Sequence, residues 1–385
     1  PTFHPDDFTI VEDTTTGKIV SSLNLISQTW AYEGIPFGVG RPELVVTHPD
    51  YRHRGLVRAQ FEEIHKWSAE RGELAQAITG IPYFYRKFGY EMAMDLGGRR
   101  MGFEPHVPVL KEGEEEPYRI RPATRADLPF IAELDGHAKE RYALSCQRTP
   151  DIWEYELDGR NEDHVNRLEM RVVEDQSGEP VGYLQHNPFL VTTWISAVTY
   201  ELKAGVSWLE VTPSVVRYLW NTGKAYAERE DKSCTAFIFW LGAEHPVYQA
   251  FAGRLPASRN PYAWYIRVTD VPGFIRHIAP ALEKRLAGSI AAGHTGKIRI
   301  NRYSSMLALI LEHGKLTGVD DEPRNPTDYG DLGLPGSIIL QLIFGRSSFE
   351  ELRAAFPDTT SYSDEAQILI DILFPKKHSN LLGIT

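Results

Sequence analysis

The feature that most constrains the fold is a change of hydrophobic period within one short stretch. "ELVVTHP" (43–49) is a β-branched run of the kind that packs in a sheet. In "LVRAQFEEIHKWSAERG" (56–72), Leu56, Phe61, Ile64 and Trp67 fall near one helical face, and Gly72 stands where a helix stops. One element cannot serve both periods, so the residues between them must form a tight turn from strand to helix. Ahead of it, "FTIVED" and "KIVSSLNLISQTWAYEG" are further strand-like runs, divided by "TTTGK" and, before "ELVVTHP", by a Gly/Pro-rich stretch. The pattern predicts an antiparallel meander. Behind the helix, "ELAQAITGI" reads as a strand and "YFYRKFGY" as a short helix closed at Gly89. The fold class expected is α+β.

At 385 residues the chain exceeds one core, and two or three domains are expected. Acidic, proline-flanked "PVLKEGEEEPYRI" is the linker candidate, because like charges cannot bury apolar surface. A new unit begins near Tyr118, with a strand and then Thr124 and Asp127 spaced as a capping box. Strand-like "MRVVED", "EPVGYLQHN" and "GVSWLEVTP" follow, loosely repeating the first unit. A second boundary is expected near 270–290, around Pro272, Gly273 and Pro280. Beyond it "KIRINRYSSMLALILEHGKLTGV" suggests antiparallel strands, followed by three apolar helices. One of these has Ser347 and Ser348 placed to pair with Glu350 and Glu351, and the last stops at Pro375. The domains are therefore 1–106, 118–280 and 285–385.

A formal charge of −11 argues against general nucleic-acid and anionic-membrane binding and suits a cationic partner, although solubility alone also accounts for an acidic balance. Cys146 and Cys234 make neither a disulfide framework nor a metal spacing, as expected in a reducing compartment. No apolar run reaches membrane-spanning length and no secretory signal opens the sequence. The expectation is a cytoplasmic protein with no metal.

The strand-to-helix turn carries chemistry. A helix opening at Gly55 presents unpaired N–H groups and a positive dipole end; Gly55 permits close approach, and Arg52, His53, Arg54 and Arg58 can reach phosphate oxygens. By itself this turn is also compatible with a solvated basic helix start. Other phosphate motifs are missing: Gly223-Lys224 is followed by alanine, Gly296-Lys297 by isoleucine, and no Gly-x-Gly-x-x-Gly occurs. Isolated histidines such as His245 read as core or surface residues.

Taken with "IPYFYRKFGYE" (81–91), the turn Arg52-His53-Arg54-Gly55-Leu56-Val57 resembles the GNAT acetyltransferase superfamily, with Val57 in place of the usual small residue. The resemblance implies that this turn and Arg58 hold the pyrophosphate of acetyl-CoA. It also implies that the backbone of Val45, Val46 and Thr47 splays from its neighbour to pair with the pantetheine arm, and that Tyr85 protonates the departing thiolate. The second unit resembles a GNAT domain without its cofactor turn, Ser214, Val215, Val216, Arg217 and Tyr218 standing where the motif belongs. The C-terminal "LPGSIILQLIFGRSSFEELRAAFPD" looks like a sterol-carrier-protein-like domain. This layout is similar to the enhanced-intracellular-survival (Eis) type. That type implies a small amine acceptor, cationic and aminoglycoside-, polyamine- or lysine-like, and a homo-oligomer, commonly a hexamer. It also implies that the apolar tail brings the Thr385 carboxylate to the active site as the base. A GNAT domain opens with a strand and two helices, whereas this chain starts inside the meander. The competing reading is a lipid or apolar-ligand binding protein, working through "SSMLALILEHGKL" and "IILQLIFG".

Overall fold

Alternating burial builds the first sheet. The early strand runs become β1 (Phe8–Asp13), β2 (Lys18–Tyr32) and β3 (Ile35–Thr47), followed by helix α1 (Leu56–Glu70), β4 (Ala75–Ile78) and β5 (Glu91–Leu96). β1, β2 and β3 pair antiparallel, while β3 and β4 pair parallel, as a strand–helix–strand crossover requires. Tyr262–Arg267 lies between β4 and β5, and Leu144–Cys146 pairs with β2. Phe61 and Ile64 of α1 pack on Leu23 and Leu25 of β2.

The Gly/Pro-rich stretch departs from expectation: it is the first half of β3 and not a turn. The hairpin is two residues, Glu33 and Gly34, both left-handed at φ 45° and 88°. The glycines in β3 answer a packing demand. A Cβ on Gly40 would lie 2.9 Å from Ser68 Oγ and closer still to the Glu73 carboxylate, so the end of α1 can approach only bare backbone.

The computed structural model describes residues 4–323 and 325–383. The protein is α+β and divides into two compact units, one of residues 4–94, 143–147 and 263–383, the other of Asp95–Tyr142 and Arg148–Tyr262. The second unit has its own mixed sheet, in which strand Trp194–Leu202, helix Trp208–Glu230 and parallel strand Ala236–Phe239 repeat the order β3–α1–β4. Here the expected strand "GVSWLEVTP" is corrected: it holds the turn and the opening of the helix, with Val211 and Val215 buried on one helical face. Ser214–Tyr218 therefore lie inside the helix, and the residues in the position of the cofactor turn are 203–207.

Within the first unit, strands Gly296–Asn301, Met306–Glu312 and Lys315–Glu322 form an antiparallel set, joined by Leu332–Gly333 and Thr360–Ser361. Helices Ile339–Ile343, Phe349–Ala355 and Asp364–Leu373 follow the expected pattern, and Ser348 and Glu351 make the capping box. Pro272 and Pro280 sit in the first turns of helices Val271–His277 and Ala279–Ala287, where proline is tolerated, so this segment is ordered helix. The C-terminal part is tied to the β2–β3 hairpin: Tyr32 Oη donates to Ile343 O at 2.8 Å, and Lys377 Nζ lies 2.7 Å from Glu33. Both cysteines are free, and among the described residues no helix is long and apolar enough to cross a membrane.

Candidate active site

The site begins where β3 leaves β4. Their parallel pairing holds at Val39 with Ala75 and Gly40 with Gln76, whereas β3 stays paired to β2 as far as Thr47. That longer ladder contains a bulge: Ser22 faces Val46 but Asn24 faces Glu43, and Leu44 takes up the extra residue at φ 54°. Residues 41–47 consequently turn one backbone edge toward a gap.

The turn closes the top of that gap. After the short helix Pro49–Tyr51, His53 and Gly55 are both left-handed, at φ 62° and 78°. Gly55 is the N-cap of α1 and supplies no side-chain hydrogen bond; the first intrahelical bond shown there is from Ala59 N to Gly55 O, 3.1 Å. The opening N–H groups of α1 are thus left for a ligand, and no acidic residue occupies its first turn. A cleft of about 690 Å³ brings together all ten residues expected at the cofactor site: Val45, Val46 and Thr47, with Arg52 through Arg58. Arg54 rests 4.6 Å over the Tyr51 ring and Arg58 5.3 Å over Phe88. Among the described residues, no carboxylate pairs with Arg52, Arg54 or Arg58.

Sequence reasoning missed part of the lining. Phe84, Lys87 and Phe88 complete the cleft wall, with Tyr51 and Ile81 at its rim. The Phe84 and Phe88 rings lie 5.5 Å apart across the short 3-10 turn Tyr85–Phe88, and the aromatic run at 83–90 was the available signal.

Tyr85 is not among the residues lining this cleft. It is 3% exposed, its ring 5.5 Å from Tyr265 and 6.0 Å from Phe61. Burial, and then the charge of Glu43, push its phenol up to about 12. Glu43 was also missed. It sits on β3 two residues after Arg41, which is 3% exposed, is ion-paired with Glu43 and lies 5.0 Å over the Trp264 ring. Burial pushes the Glu43 carboxyl up and Arg41 pulls it back only in part. The C-terminal tail also comes here: Leu381 is buried, and a Cβ on Gly383 would be 2.8 Å from Arg41 Cζ. Thr385 lies outside the described residues.

Comparison with known proteins agrees with this geometry. Residues 1–93 match the family model of the acetyltransferase (GNAT) domain. Among solved structures, the chain is similar to a conserved protein of unknown function from Enterococcus faecalis, with a TM-score of 0.67 and 12% identity over 96% of this chain and 87% of that one. It is similar to a GCN5-related N-acetyltransferase from Kribbella flavida, with a TM-score of 0.62 and 18% identity over 96% and 85% of the two chains. The corresponding figures for Eis1 from Mycobacterium abscessus are 0.59 and 14%, over 97% and 89%. At these identities the likeness is one of fold, and that fold is the GNAT type. No curated protein matches the chain.

Proposed function

We propose that the chain is an acetyl-CoA-dependent N-acetyltransferase acting on a primary amine of a small cationic acceptor, such as an aminoglycoside, a polyamine or a lysine side chain. Its layout would be that of Eis-type enzymes, with GNAT-like units at 1–106 and 118–280 and a sterol-carrier-protein-like part at 285–385. One observation carries the reading: unpaired helix N–H groups, cations without carboxylate partners and a splayed strand edge share one cleft. That combination fits a ligand with a pyrophosphate at one end and an amide-bearing arm at the other.

When bound, acetyl-CoA supplies the thioester carbon that the acceptor nitrogen attacks. The chain's own groups do the rest. The N–H groups of Leu56, Val57 and Arg58, with the side chains of Arg52, His53, Arg54 and Arg58, hold phosphates; the backbone of Val45–Thr47 orients the arm; Phe84 and Phe88 keep water out. Tyr85, at about 12, keeps its proton through the neutral range. A thiol of reference pKa ~8.5 is the weaker base by roughly 3.5 units, so full transfer from the phenol runs uphill by about 5 kcal/mol. Tyr85 therefore serves the departing sulfur chiefly as a hydrogen-bond donor, and a proton it gives up is recovered from the protonated nitrogen of the adduct. On the family resemblance the Thr385 carboxylate would take the ammonium proton; the buried Leu381 and the contact of Gly383 with Arg41 support a tail that reaches the acceptor side.

The second unit is assigned no cofactor, since its turn offers one cation, Lys203, 2.8 Å from Glu179. Calorimetry with acetyl-CoA, followed by a thiol-release assay across polyamines, aminoglycosides and lysine peptides, tests the proposal. Micromolar binding with turnover of at least one amine is expected; no acetyl-CoA binding refutes it.

A further inference from the structure

In the sheet of the second unit, two arginines face each other with no carboxylate to separate them. Arg99, on strand Arg99–Phe103, is the direct partner of Arg259 on the edge strand Ala257–Arg259. Directly opposed residues project on one face, where like charges repel. An edge strand gains from an exposed charge, which discourages a further strand from pairing with it. That accounts for Arg259 but not for Arg99, which lies one strand in and is only partly exposed. Burial, and then the charge of Arg259, hold the Arg99 guanidinium below its usual range. Among the described residues, neither arginine pairs with a carboxylate. The groups around Arg99 are aromatic, and several are unsatisfied. Phe237 and Phe239 pack in the core beneath helix Trp208–Glu230, and Phe239 is the partner of Arg100, so Arg99 and Trp240 project on the opposite face. Ile195 and Ala197 join the same core, which places Trp194 and Ser196 on that opposite face too. The Arg99 guanidinium lies 5.0 Å from the centre of the Trp194 ring and 5.8 Å from that of Trp240. Gly97 fixes the second indole, since a Cβ there would overlap Trp240 Nε1. Arg99 Nε, Trp194 Nε1 and Ser196 Oγ are buried, and none has a hydrogen-bond partner. All three can donate, so what this face lacks is an acceptor.

We propose that this face binds a small dianion through phosphate or carboxylate oxygens, gripped between Arg99 and Arg259. The anion accepts from both guanidiniums and removes their mutual repulsion, while the Trp194 indole N–H and the Ser196 hydroxyl supply further donors on the same face. Two positive charges match two negative ones, and the planar fork of each guanidinium suits a pair of oxygens. The two indole rings hold Arg99 by cation–π attraction before any ligand arrives, so little side-chain freedom is lost on binding. Every residue of the site belongs to the second unit, and the proposal stands independently of the acetyl-CoA cleft.

The test titrates inorganic phosphate and, separately, malonate into the full chain, with calorimetry for affinity and tryptophan emission for location. Ionic strength is held constant with sodium chloride, so that screening alone gives no signal. Saturable binding of at least one probe at millimolar concentration or below is expected, with a change in emission that is largely lost in Trp240→Phe. The tighter probe identifies the source of the oxygens, a phosphate ester or a dicarboxylate. Arg99→Ala and Arg259→Ala should each raise Kd by ~10-fold or more, the loss expected when a charge-assisted pair is removed. Arg259 is exposed, so its replacement guards against a variant that fails to fold; with the like charge gone, its Tm without ligand should be unchanged or higher. Arg99→Lys, which keeps the charge but not the fork, should also bind more weakly than the native protein. Phosphate suits the turn at 52–58 as well, so the titrations are repeated in Gly55→Glu. An emission change that survives there supports the second-unit site; one that disappears there but survives in Arg259→Ala overturns it. Neither probe binding, or native affinity in both arginine-to-alanine variants, overturns it equally.

Discussion

Gly55 allows backbone strain to be separated from phosphate recognition. Its φ of 78° is a conformation that costs an L-residue about 1–2 kcal/mol, yet a Cβ built on it meets nothing within 4 Å. Gly55→Ala and Gly55→Glu should therefore destabilise the fold alike, without a clash, and lower Tm by similar amounts. They differ in what they put into the cleft. A glutamate carboxylate ~5 Å from a phosphate, at an effective dielectric constant of ~20, is opposed by about 3 kcal/mol per charge pair. At about 1.4 kcal/mol per tenfold, that is more than 100-fold in affinity. Calorimetric Kd values for acetyl-CoA should therefore rise by ~10-fold or less in Gly55→Ala and by over ~100-fold in Gly55→Glu. Added salt should narrow the difference, because this opposition is screened whereas backbone strain is not. Equal losses in the two variants, or near-native affinity in Gly55→Glu, would refute the placement of phosphates at this turn.

Arg58→Ala should weaken acetyl-CoA binding by ~5-fold or less in the same calorimetric assay, because an exposed cation contributes about 1 kcal/mol at most. Tyr85→Phe keeps the ring but removes the hydrogen-bond donor, so stopped thiol-release assays should show kcat down by ~100-fold with acetyl-CoA Kd unchanged. With the native phenol at about 12, the native pH–rate profile should show no alkaline fall from Tyr85 below pH ~11. Gly40→Ala must displace Ser68 or Glu73 and should cost about 1–3 kcal/mol, read as a lower Tm in calorimetry.

The parts legible in the sequence are those whose causes are local. The period change at 43–72, the glycine at 55 and the neighbouring cations name the turn and suggest the anion-binding use proposed for it, because backbone conformation and charge act within a few residues. Gly38 and Gly40 misread as loop signals because what they answer to, the end of α1, lies more than 25 residues along the chain. "GVSWLEVTP" misread as a strand because Val206 and Trp208 alternate with Ser207 at short range and β-branched residues follow; only the burial of Val211, Val215 and Leu219 reveals the 3.6 period. Arg99–Phe103 joins the second unit's sheet and Tyr262–Arg267 the first, a pairing that no local pattern specifies. Arg41 and Glu43 carried a signal that was passed over: two opposite charges at i, i+2 on a strand share one face, and on a buried strand such a pair needs an explanation.

The two units also dress one backbone step in opposite charge. Each has a strand, a turn through a left-handed glycine, and a helix whose positive end faces outward: Gly55 at φ 78° in the first, Gly205 at φ 83° in the second. In the first, the opening of α1 has no acidic residue, and cations without carboxylate partners surround it. In the second, Glu210 occupies the first helical turn and answers the dipole from within, Tyr118 Oη donating to it at 3.4 Å. Beside that helix, a cleft of about 680 Å³ presents both Asp175 and Glu210. A phosphate there would meet two carboxylates, each opposing it by a few kcal/mol at contact distances. A chain of net charge −11 can still hold an anion at residues 52–58, since a ligand responds to charges within a Debye length of about 8 Å and not to the total. The fold sets where a cofactor could lie; the side chains of 52–58 and of 203–210 decide which of the two clefts can accept one.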